Sequence, residues 1–225
     1  MSGLVTLLGA GPGDAELLSL KGKRRLQEAD VLVFDRLVNQ ELFQHLKSDC
    51  EKIDVGKKPG QPCIRQEEIE KILIEKARQG KRVVRLKSGD PYIFGRGGEE
   101  GVKLVEAGVD FEVVPGITSA VAGLTYAGIP MTYRDVATSF HVFTAHLKDE
   151  TEMLNWEAIS KLKGTLVFLM GMKNLPTIVQ ELTARGYGKD KPAAIVEWGT
   201  HPQQRSVDGT LGNIVELAEA EDFKA

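Results

Sequence analysis

The chain has 225 residues, of which 42% are hydrophobic, and this apolar content suffices for the core of one large or two small domains. The formal net charge of −3 argues against a protein whose whole surface binds nucleic acid, and only a local basic cleft is compatible with it. Cys50 and Cys63 form no C-x-x-C pair and lack a zinc-like histidine spacing, so we expect two reduced thiols. The amino terminus lacks a signal-peptide pattern and no apolar run reaches membrane-spanning length, so we expect a soluble, cytoplasmic protein.

Apolar β-branched runs alternate with helical patterns through the first half of the chain. The alternation predicts strands at 4–9, 31–34, 51–55, 82–86 and 111–116, and helices at 19–29, 40–46, 66–79 and 98–107. The helix at 66–79 has acidic residues in its first turn and basic residues in its last turn, and it stops before Gly80. Strands that alternate with helices predict an α/β fold with a mostly parallel sheet covered on both faces.

A domain boundary is predicted near Gly116, which divides the chain into lobes at 1–116 and 117–225. After it, a helix of small residues begins, and strands follow at 139–146, 164–171, 193–200 and 203–210 before a last helix at 211–220. This pattern predicts a second α/β lobe with a mixed sheet.

The first of three glycine-rich turns is "LLGAGPGD", which follows the first strand. Gly9 and Gly11 fit a dinucleotide fingerprint, but its sixth position is Asp14. A carboxylate at a helix amino terminus repels a pyrophosphate, and Pro12 removes an amide donor from the turn. The turn therefore favours a cofactor without phosphate over NAD.

The other two turns, "SGDPYIFGRGGEE" and "VVPGITSAV", also leave the carboxyl ends of predicted strands. Asp90 is placed to accept hydrogen bonds from amine or hydroxyl groups, and Arg96 opens the next helix. Thr118 or Ser119 either caps the following helix or contacts a ligand. Three such turns at one edge of a parallel sheet predict a ligand site there.

The segments "GAGPGD", "VFDRLV", "DVGKK", "GDPYIFGRGGEE", "VVPGITSA" and "GIPMTYRD", in this order, closely resemble the S-adenosylmethionine-dependent tetrapyrrole methylases, and in particular those acting on uroporphyrinogen III. The resemblance covers essentially the whole chain. It implies two α/β lobes with the active site in the cleft between them, a homodimer, and S-adenosyl-L-methionine as cofactor. It also implies methyl transfer to C2 and C7 of uroporphyrinogen III, giving precorrin-2 via precorrin-1 for sirohaem and cobalamin synthesis.

Matching motifs also imply individual site residues. The implied cofactor contacts are Pro12, Ser88, Gly89, Asp90, Ile93, Thr118, Ser119, Met170 and Gly199. Asp35 matches the family's proton acceptor and Lys57 its proton donor, while Glu99 either orients Arg96 or acts in its place. Asp35 has two structural alternatives, an ion pair with Arg36 or a cap on the next turn. Two departures from the family pattern are Ser88, which weakens cofactor binding if its backbone φ is positive, and Ala145.

The implied substrate carries eight carboxylates, which require basic partners. Arginine binds a carboxylate through two parallel hydrogen bonds, so Arg96, Arg134 and Arg36 are the predicted substrate residues, supported by Lys57 and Lys58. The sulfonium methyl group is already electrophilic, so alignment of the reactants, which can contribute about 7–11 kcal/mol, is the main catalytic task. A base must then remove the pyrrole proton, and no metal is required.

Three other interpretations are compatible with the sequence. One is a methylase acting on a later precorrin, which "FGRGGEE" disfavours, and another is a nicotinamide oxidoreductase, which Pro12 and Asp14 disfavour. The third is a catalytically weak tetrapyrrole carrier in which Ser88 has spoiled the cofactor pocket. His141 and His146 are expected on opposite faces of a strand, so a shared metal is not expected.

Overall fold

A computed structural model describes residues 3–56, 64–145 and 154–224, and its contacts divide the chain into two compact units. The first unit extends to Ser119, and the second begins at Ala120. The predicted division into domains 1–116 and 117–225 stays a prediction. Within the described ranges, no helix is both long and apolar enough to cross a membrane.

The first unit is a five-stranded parallel sheet in the order β3-β2-β4-β1-β5. Its strands are β1 (Leu4–Gly9), β2 (Val31–Phe34), β3 (Glu51–Asp54), β4 (Arg82–Lys87) and β5 (Phe111–Val114). Its helices are α1 (Leu20–Glu28), α2 (Gln66–Arg78) and α3 (Gly97–Glu106), with short 3-10 helices at Ala15–Leu17 and Gln40–His45.

Both faces of this sheet are buried, because apolar residues alternate towards two separate clusters. Leu8, Leu32 and Leu86 pack on one face, and Val5, Val33 and Val83 pack on the other. The near-continuous apolar runs of β1, β2 and β4 follow from this double coverage. Parallel pairing brings the carboxyl ends of these strands to one edge of the sheet, where the three glycine-rich turns begin.

The second unit contains two small two-stranded sheets in its described part, one parallel and one antiparallel. Its strands are β6 (Phe140–Thr144), β7 (Thr165–Leu169), β8 (Pro192–Glu197) and β9 (Arg205–Thr210). Its helices are α5 (Trp156–Ile159), α6 (Leu175–Ala184) and α7 (Ile214–Ala220). A further helix, α4 (Ser119–Tyr126), crosses from the first unit into the second, and a short 3-10 helix covers Met172–Asn174.

The predicted α/β class and the parallel sheet are confirmed, and both pairing senses predicted for the second half occur, although as separate ladders. The predicted helix at 40–46 is instead a 3-10 helix over Gln40–His45, with Asn39 as N-cap and Leu46 as C-cap, and such helices are frequent in connecting segments. Helix α6 was not predicted, although its apolar residues Ile178 and Leu182 recur at helical spacing.

Candidate active site

The three glycine-rich turns meet at the carboxyl edge of the sheet. The Gly11 amide donates to the Gly89 carbonyl at 3.2 Å, and the Gly89 amide donates back to the Gly11 carbonyl at 2.7 Å. A Cβ on Gly116 would stand 2.1 Å from the Gly89 carbonyl oxygen, and one on Gly9 would stand 2.4 Å from the Gly116 nitrogen. Only glycine permits this approach, so the three turns predicted to share a ligand do pack together.

Asp90 joins the second turn to the third. Its Oδ2 accepts a hydrogen bond from the Gly116 amide at 3.1 Å, and its Oδ1 accepts one from the Tyr92 amide at 2.8 Å. This carboxylate therefore has a structural duty that sequence reasoning missed. Each oxygen retains a lone pair that could accept from a ligand amine or hydroxyl.

Ser88 does not lie in the left-handed backbone region, whereas the neighbouring Gly89 has φ of 67°. Ser88 therefore does not carry the backbone strain that would weaken cofactor binding. The position where a side chain would be costly is occupied by Gly89, which is the second glycine of the family's "KGGDP" pattern.

The loop between β4 and α3 carries backbone strain at two residues. Phe94 has φ of 52° and Arg96 has φ of 58°, both in the left-handed region that non-glycine residues rarely adopt. Such residues cost about 1–3 kcal/mol each and gather at functional sites. Phe94 and Ile93 are also exposed, which places apolar side chains beside the turns.

Arg96 is the N-cap residue of α3, and its side chain points outwards in an ion pair with Glu99. Its Nη2 lies 2.6 Å from Glu99 Oε2, and its Nε lies 3.0 Å from Glu99 Oε1. The hydrogen bond to Glu99 raises the pKa of Arg96, so the guanidinium stays charged. This geometry agrees with the orienting role considered for Glu99, and more than half of the Arg96 side chain is exposed.

Asp35 follows β2 at the same edge of the sheet. Its Oδ1 accepts from the Leu37 amide at 3.2 Å, so it does cap the next turn. Its Oδ2 lies 3.5 Å from Nη2 of Arg85, so Asp35 forms its ion pair with Arg85 and not with Arg36, the partner considered as an alternative from the sequence. The reason is topological, because β2 pairs with β4 and places Val33 beside Arg85.

A buried charge cluster lies beneath Asp35, and sequence reasoning missed it. Arg85, Lys87 and Glu100 are each at most 4% exposed. Glu100 Oε1 accepts from Arg85 Nε at 3.2 Å, Lys87 Nζ at 2.9 Å and Gln66 Nε2 at 3.1 Å. Burial lowers the pKa of Lys87, and the adjacent Arg85 charge adds to this effect while Glu100 opposes it. The signal in the sequence was "RVVRLK", where two charges share one face of an otherwise apolar strand.

Two predicted cofactor residues lie in the second unit, where each follows a strand. Met170 follows β7 with φ of 57° and is exposed. Gly199 follows β8 and packs on α4, where a Cβ on it would stand 2.9 Å from the Gly123 Cα. Its neighbours Trp198 and Thr200 also have positive φ values, of 53° and 70°. Strain is therefore concentrated at the ends of both strands that supply predicted site residues.

The remaining predicted residues differ in exposure. Pro12 is buried in the first turn, Ser119 is exposed at the start of α4 and Thr118 precedes it. Arg36 and Arg134 are exposed, the first after β2 and the second in the loop before β6. Lys57, Lys58, Cys63 and His146 lie outside the described residues.

Ala145, the second departure from the family pattern, fits its position. It is 7% exposed, its amide donates to the Leu169 carbonyl at 2.9 Å, and its own carbonyl accepts from Asn174 at 2.6 Å. Its methyl group is part of an apolar cluster with Trp156 and Ile178. Across 3–56, 64–145 and 154–224, no cluster of three or more His, Cys, Asp or Glu side chains could hold a metal ion.

Comparison with known protein families matches residues 4–215 to the tetrapyrrole (corrin/porphyrin) methylases. The chain belongs to this family.

Curated relatives of this tetrapyrrole methylase are similar over most of its length. It is 46% identical over 223 residues to a uroporphyrinogen-III C-methyltransferase of Priestia megaterium, covering 99% of this chain and 94% of that protein. It is 52% identical over 217 residues to a sirohaem synthase of Escherichia coli, covering 96% of this chain but 47% of that protein. The chain therefore spans nearly all of the first relative and about half of the second.

Solved structures give the same result for the fold of this methylase. A native uroporphyrin III C-methyltransferase from Thermus thermophilus has a TM-score of 0.80 at 39% identity, covering 95% of this chain and 91% of that one. The same enzyme complexed with S-adenosylhomocysteine has a TM-score of 0.81 at 39% identity, covering 95% and 86%. A cobalt precorrin-4 methyltransferase has a TM-score of 0.87 at 28% identity, covering 99% and 91%.

The residues at the turns of this methylase fit S-adenosylmethionine better than a dinucleotide. Asp14 caps the 3-10 helix after the first turn, with its Oδ1 accepting from the Glu16 amide at 2.8 Å. The carboxylates of Asp14 and Asp90 therefore face the amides that a phosphate would need. The donors that suit such carboxylates are the amine and ribose hydroxyls of a phosphate-free cofactor.

Proposed function

We propose that this chain transfers methyl groups from S-adenosyl-L-methionine to C2 and C7 of uroporphyrinogen III, yielding precorrin-2 by way of precorrin-1. The observation that carries the proposal is the packing of three glycine-rich turns, whose Asp14 and Asp90 carboxylates suit a phosphate-free cofactor. The 46% identity to a uroporphyrinogen-III C-methyltransferase over 94% of that protein supports the substrate. Precorrin-2 would then enter sirohaem or cobalamin synthesis.

The bound cofactor supplies an electrophilic methyl group, and the chain's own residues position and deprotonate the substrate. The cofactor residues are Pro12, Ser88, Gly89, Asp90, Ile93, Thr118, Ser119, Met170 and Gly199. Arg96, Arg134 and Arg36 bind substrate carboxylates through charge-assisted hydrogen bonds. Asp35, held by Arg85 and the Leu37 amide, accepts the one proton that each methyl transfer releases. Lys57 is assigned as proton donor for a tautomerisation of the macrocycle, in which the proton that it adds at one position is balanced by a second proton lost from another.

We also propose that the protein is a homodimer, as the family resemblance implies, and that it is cytoplasmic, as its two unpaired cysteines indicate. Sedimentation equilibrium of the purified chain tests the first point, with twice the mass of 24.6 kDa expected. A single species at the monomer mass at micromolar concentration would contradict it.

The function is tested by an anaerobic assay with uroporphyrinogen III and methyl-labelled S-adenosylmethionine. We expect two labelled methyl groups per macrocycle and the absorption spectrum of a dipyrrocorphin product after oxidation-free work-up. Titration with S-adenosylhomocysteine and NADH accompanies the assay, because binding of NADH alone would support an oxidoreductase. Transfer only to a later precorrin would place the chain elsewhere in the family.

Replacing Asp35 by Asn tests its role in proton removal. The amide keeps the shape but cannot accept the proton, so turnover should fall by about 100-fold to 10,000-fold, the contribution of a general base. The Michaelis constants should stay at their wild-type values, because the arginines proposed to bind substrate are unchanged. Unchanged turnover would remove Asp35 as the base.

A further inference from the structure

Glu100 has no place in the family-derived site, yet it is the most buried charged residue described in the first unit, with an exposure of 0%. It lies in the first turn of α3, the helix that Arg96 caps. Three side-chain donors converge on its Oε1, and its Oε2 has no hydrogen-bond partner within the described ranges. Burying a carboxylate costs free energy that ion pairs offset only in part, so stability alone does not explain Glu100.

The contacts of Arg85 connect Glu100 to Asp35. Its Nε donates to Glu100 Oε1 at 3.2 Å, and its Nη1 donates to the Leu86 carbonyl at 3.2 Å. These two anchors fix the plane of the guanidinium, since its donors form a rigid fork. The remaining nitrogen, Nη2, then points to Asp35 Oδ2 at 3.5 Å.

The charges of the cluster also balance only when Asp35 is included. Arg85 and Lys87 bring two positive charges, and Glu100 supplies one negative charge. Asp35, whose side chain is 29% exposed, supplies the second negative charge at the edge of the cluster. The network therefore leads from a fully buried acid to an acid that reaches solvent.

We propose that Glu100 is a positioning residue for methyl transfer, which acts through Arg85 to hold the Asp35 carboxylate in the orientation that accepts the substrate proton. The inference rests on the proposed function, because it takes Asp35 as the base. Lys87 balances the Glu100 charge, so the carboxylate can hold Arg85 without leaving the cluster negative. Glu100 itself touches neither cofactor nor substrate.

A double-mutant cycle with Glu100→Gln and Asp35→Asn tests the proposal in the anaerobic methylation assay. We expect Glu100→Gln to lower kcat by about 10-fold to 100-fold with little change in either KM, since a misplaced catalytic group can cost about 100-fold. In the Asp35→Asn background, the same change should have almost no further effect, because the group that it positions is already gone. Glu100→Asp, which keeps the charge, should recover part of the loss.

Glu106→Gln is the matched control, because Glu106 lies on the same helix in an exposed ion pair with Lys103. It should leave kcat unchanged. The proposal is overturned if Glu100→Gln keeps the wild-type kcat, or if the double variant loses the product of the two single effects.

Two further measurements test the positioning role if a variant folds poorly or if the proposed function is wrong. If Glu100→Gln no longer binds S-adenosylhomocysteine, Arg85→Lys replaces it in the cycle, and additive losses overturn the proposal. Crystal structures of the wild type and Glu100→Gln, or Arg85→Lys, give a readout without activity, with Asp35 expected to turn away from residue 85. An unchanged Asp35 orientation overturns the positioning role, whereas a wild type that does not methylate uroporphyrinogen III overturns only the proposed function.

Discussion

Arg96 combines a left-handed backbone with an exposed guanidinium that Glu99 orients. A residue with φ of 58° at a helix N-cap would be replaced by glycine or asparagine if only the local backbone mattered. The side chain therefore has a duty that the backbone does not explain, and the eight carboxylates of the proposed substrate supply one.

We predict that Arg96→Ala abolishes methylation while S-adenosylhomocysteine binding persists. Loss of one partner of a hydrogen-bonded charge pair that substrate binding buries costs about 2–5 kcal/mol, which corresponds to at least about a 30-fold loss in kcat/KM. Lys103→Ala is the control, because Lys103 forms the equivalent ion pair with Glu106 further along α3. Calorimetry in which the Arg96 variant loses cofactor binding would contradict the assignment.

Sequence reasoning reached Arg96 and Asp35 because each lies in a motif that the family shares. It did not reach Arg85 and Glu100, because their pairing joins a strand to a helix 15 positions along the chain, and only the fold brings them together. The one ion-pair partner that it considered for Asp35 was the neighbouring Arg36, whereas the parallel register brings Arg85 to it. Local sequence shows which charges exist, and strand order decides which of them meet.

At the level of elements, the contacts of the third turn with the second and first turns depend on the absence of side chains. Gly116→Ala would place a methyl group 2.1 Å from the Gly89 carbonyl oxygen, so the turns must separate. We expect unfolding to become easier by about 1–3 kcal/mol and S-adenosylhomocysteine affinity to fall by at least about 10-fold, as overpacking costs this much. Chemical denaturation and calorimetry measure the two quantities.

Gly98→Ala provides the comparison on α3, where a new Cβ would have nothing within 4 Å. Alanine is the better helix former by up to about 1 kcal/mol, so this variant should be neutral or slightly more stable. Equal losses in both variants would show that the effect is not one of close packing between the turns.

A second element-scale feature joins α1 to β5 through Glu112. Its carboxylate pairs with Arg25 and with Lys21, the latter at 2.8 Å, and Thr6 donates to it at 3.1 Å. The hydrogen bond from Arg25 is the main cause that lowers the pKa of Glu112 from 4.5 to about 2. Its charged form therefore stabilises the fold above the unfolded pKa, and this contribution is lost as the pH falls towards 2.

We predict that Glu112→Gln lowers the free energy of unfolding by about 1–3 kcal/mol at pH 7. The difference from wild type should shrink between about pH 4.5 and pH 2 as the carboxylate becomes protonated. Urea denaturation at several pH values measures this difference. A gap that stays constant down to pH 2 would show that the ion pairs are not its source.

On the scale of the whole molecule, the alternation of strands and helices was enough to predict a parallel sheet and its double coverage. In the second unit the four predicted strands all occur, but the sequence did not show that, within the described residues, they form two separate two-stranded sheets. Helix α6 was missed although its proline in the first turn is typical of a helix start and its buried residues Ile178 and Leu182 have helical spacing.

Cofactor binding should be visible as a change in global stability. A ligand present at 100 times its dissociation constant stabilises a protein by about 2.7 kcal/mol, which shifts the melting temperature by about 5–10 °C for a chain of this size. We expect this shift with S-adenosylhomocysteine in differential scanning calorimetry and none with NADH. A shift with NADH and none with S-adenosylhomocysteine would favour a dinucleotide and contradict the interpretation of Asp14.

Met170 ends β7 in a backbone conformation that glycine would adopt at lower cost. Selection for heat resistance alone should therefore favour glycine at residue 170. That substitution would also remove the thioether side chain that we assign to cofactor binding. A library screened first for folding and then for methyl transfer would separate these two pressures. The fraction of glycine at residue 170 should rise in the first screen and collapse in the second.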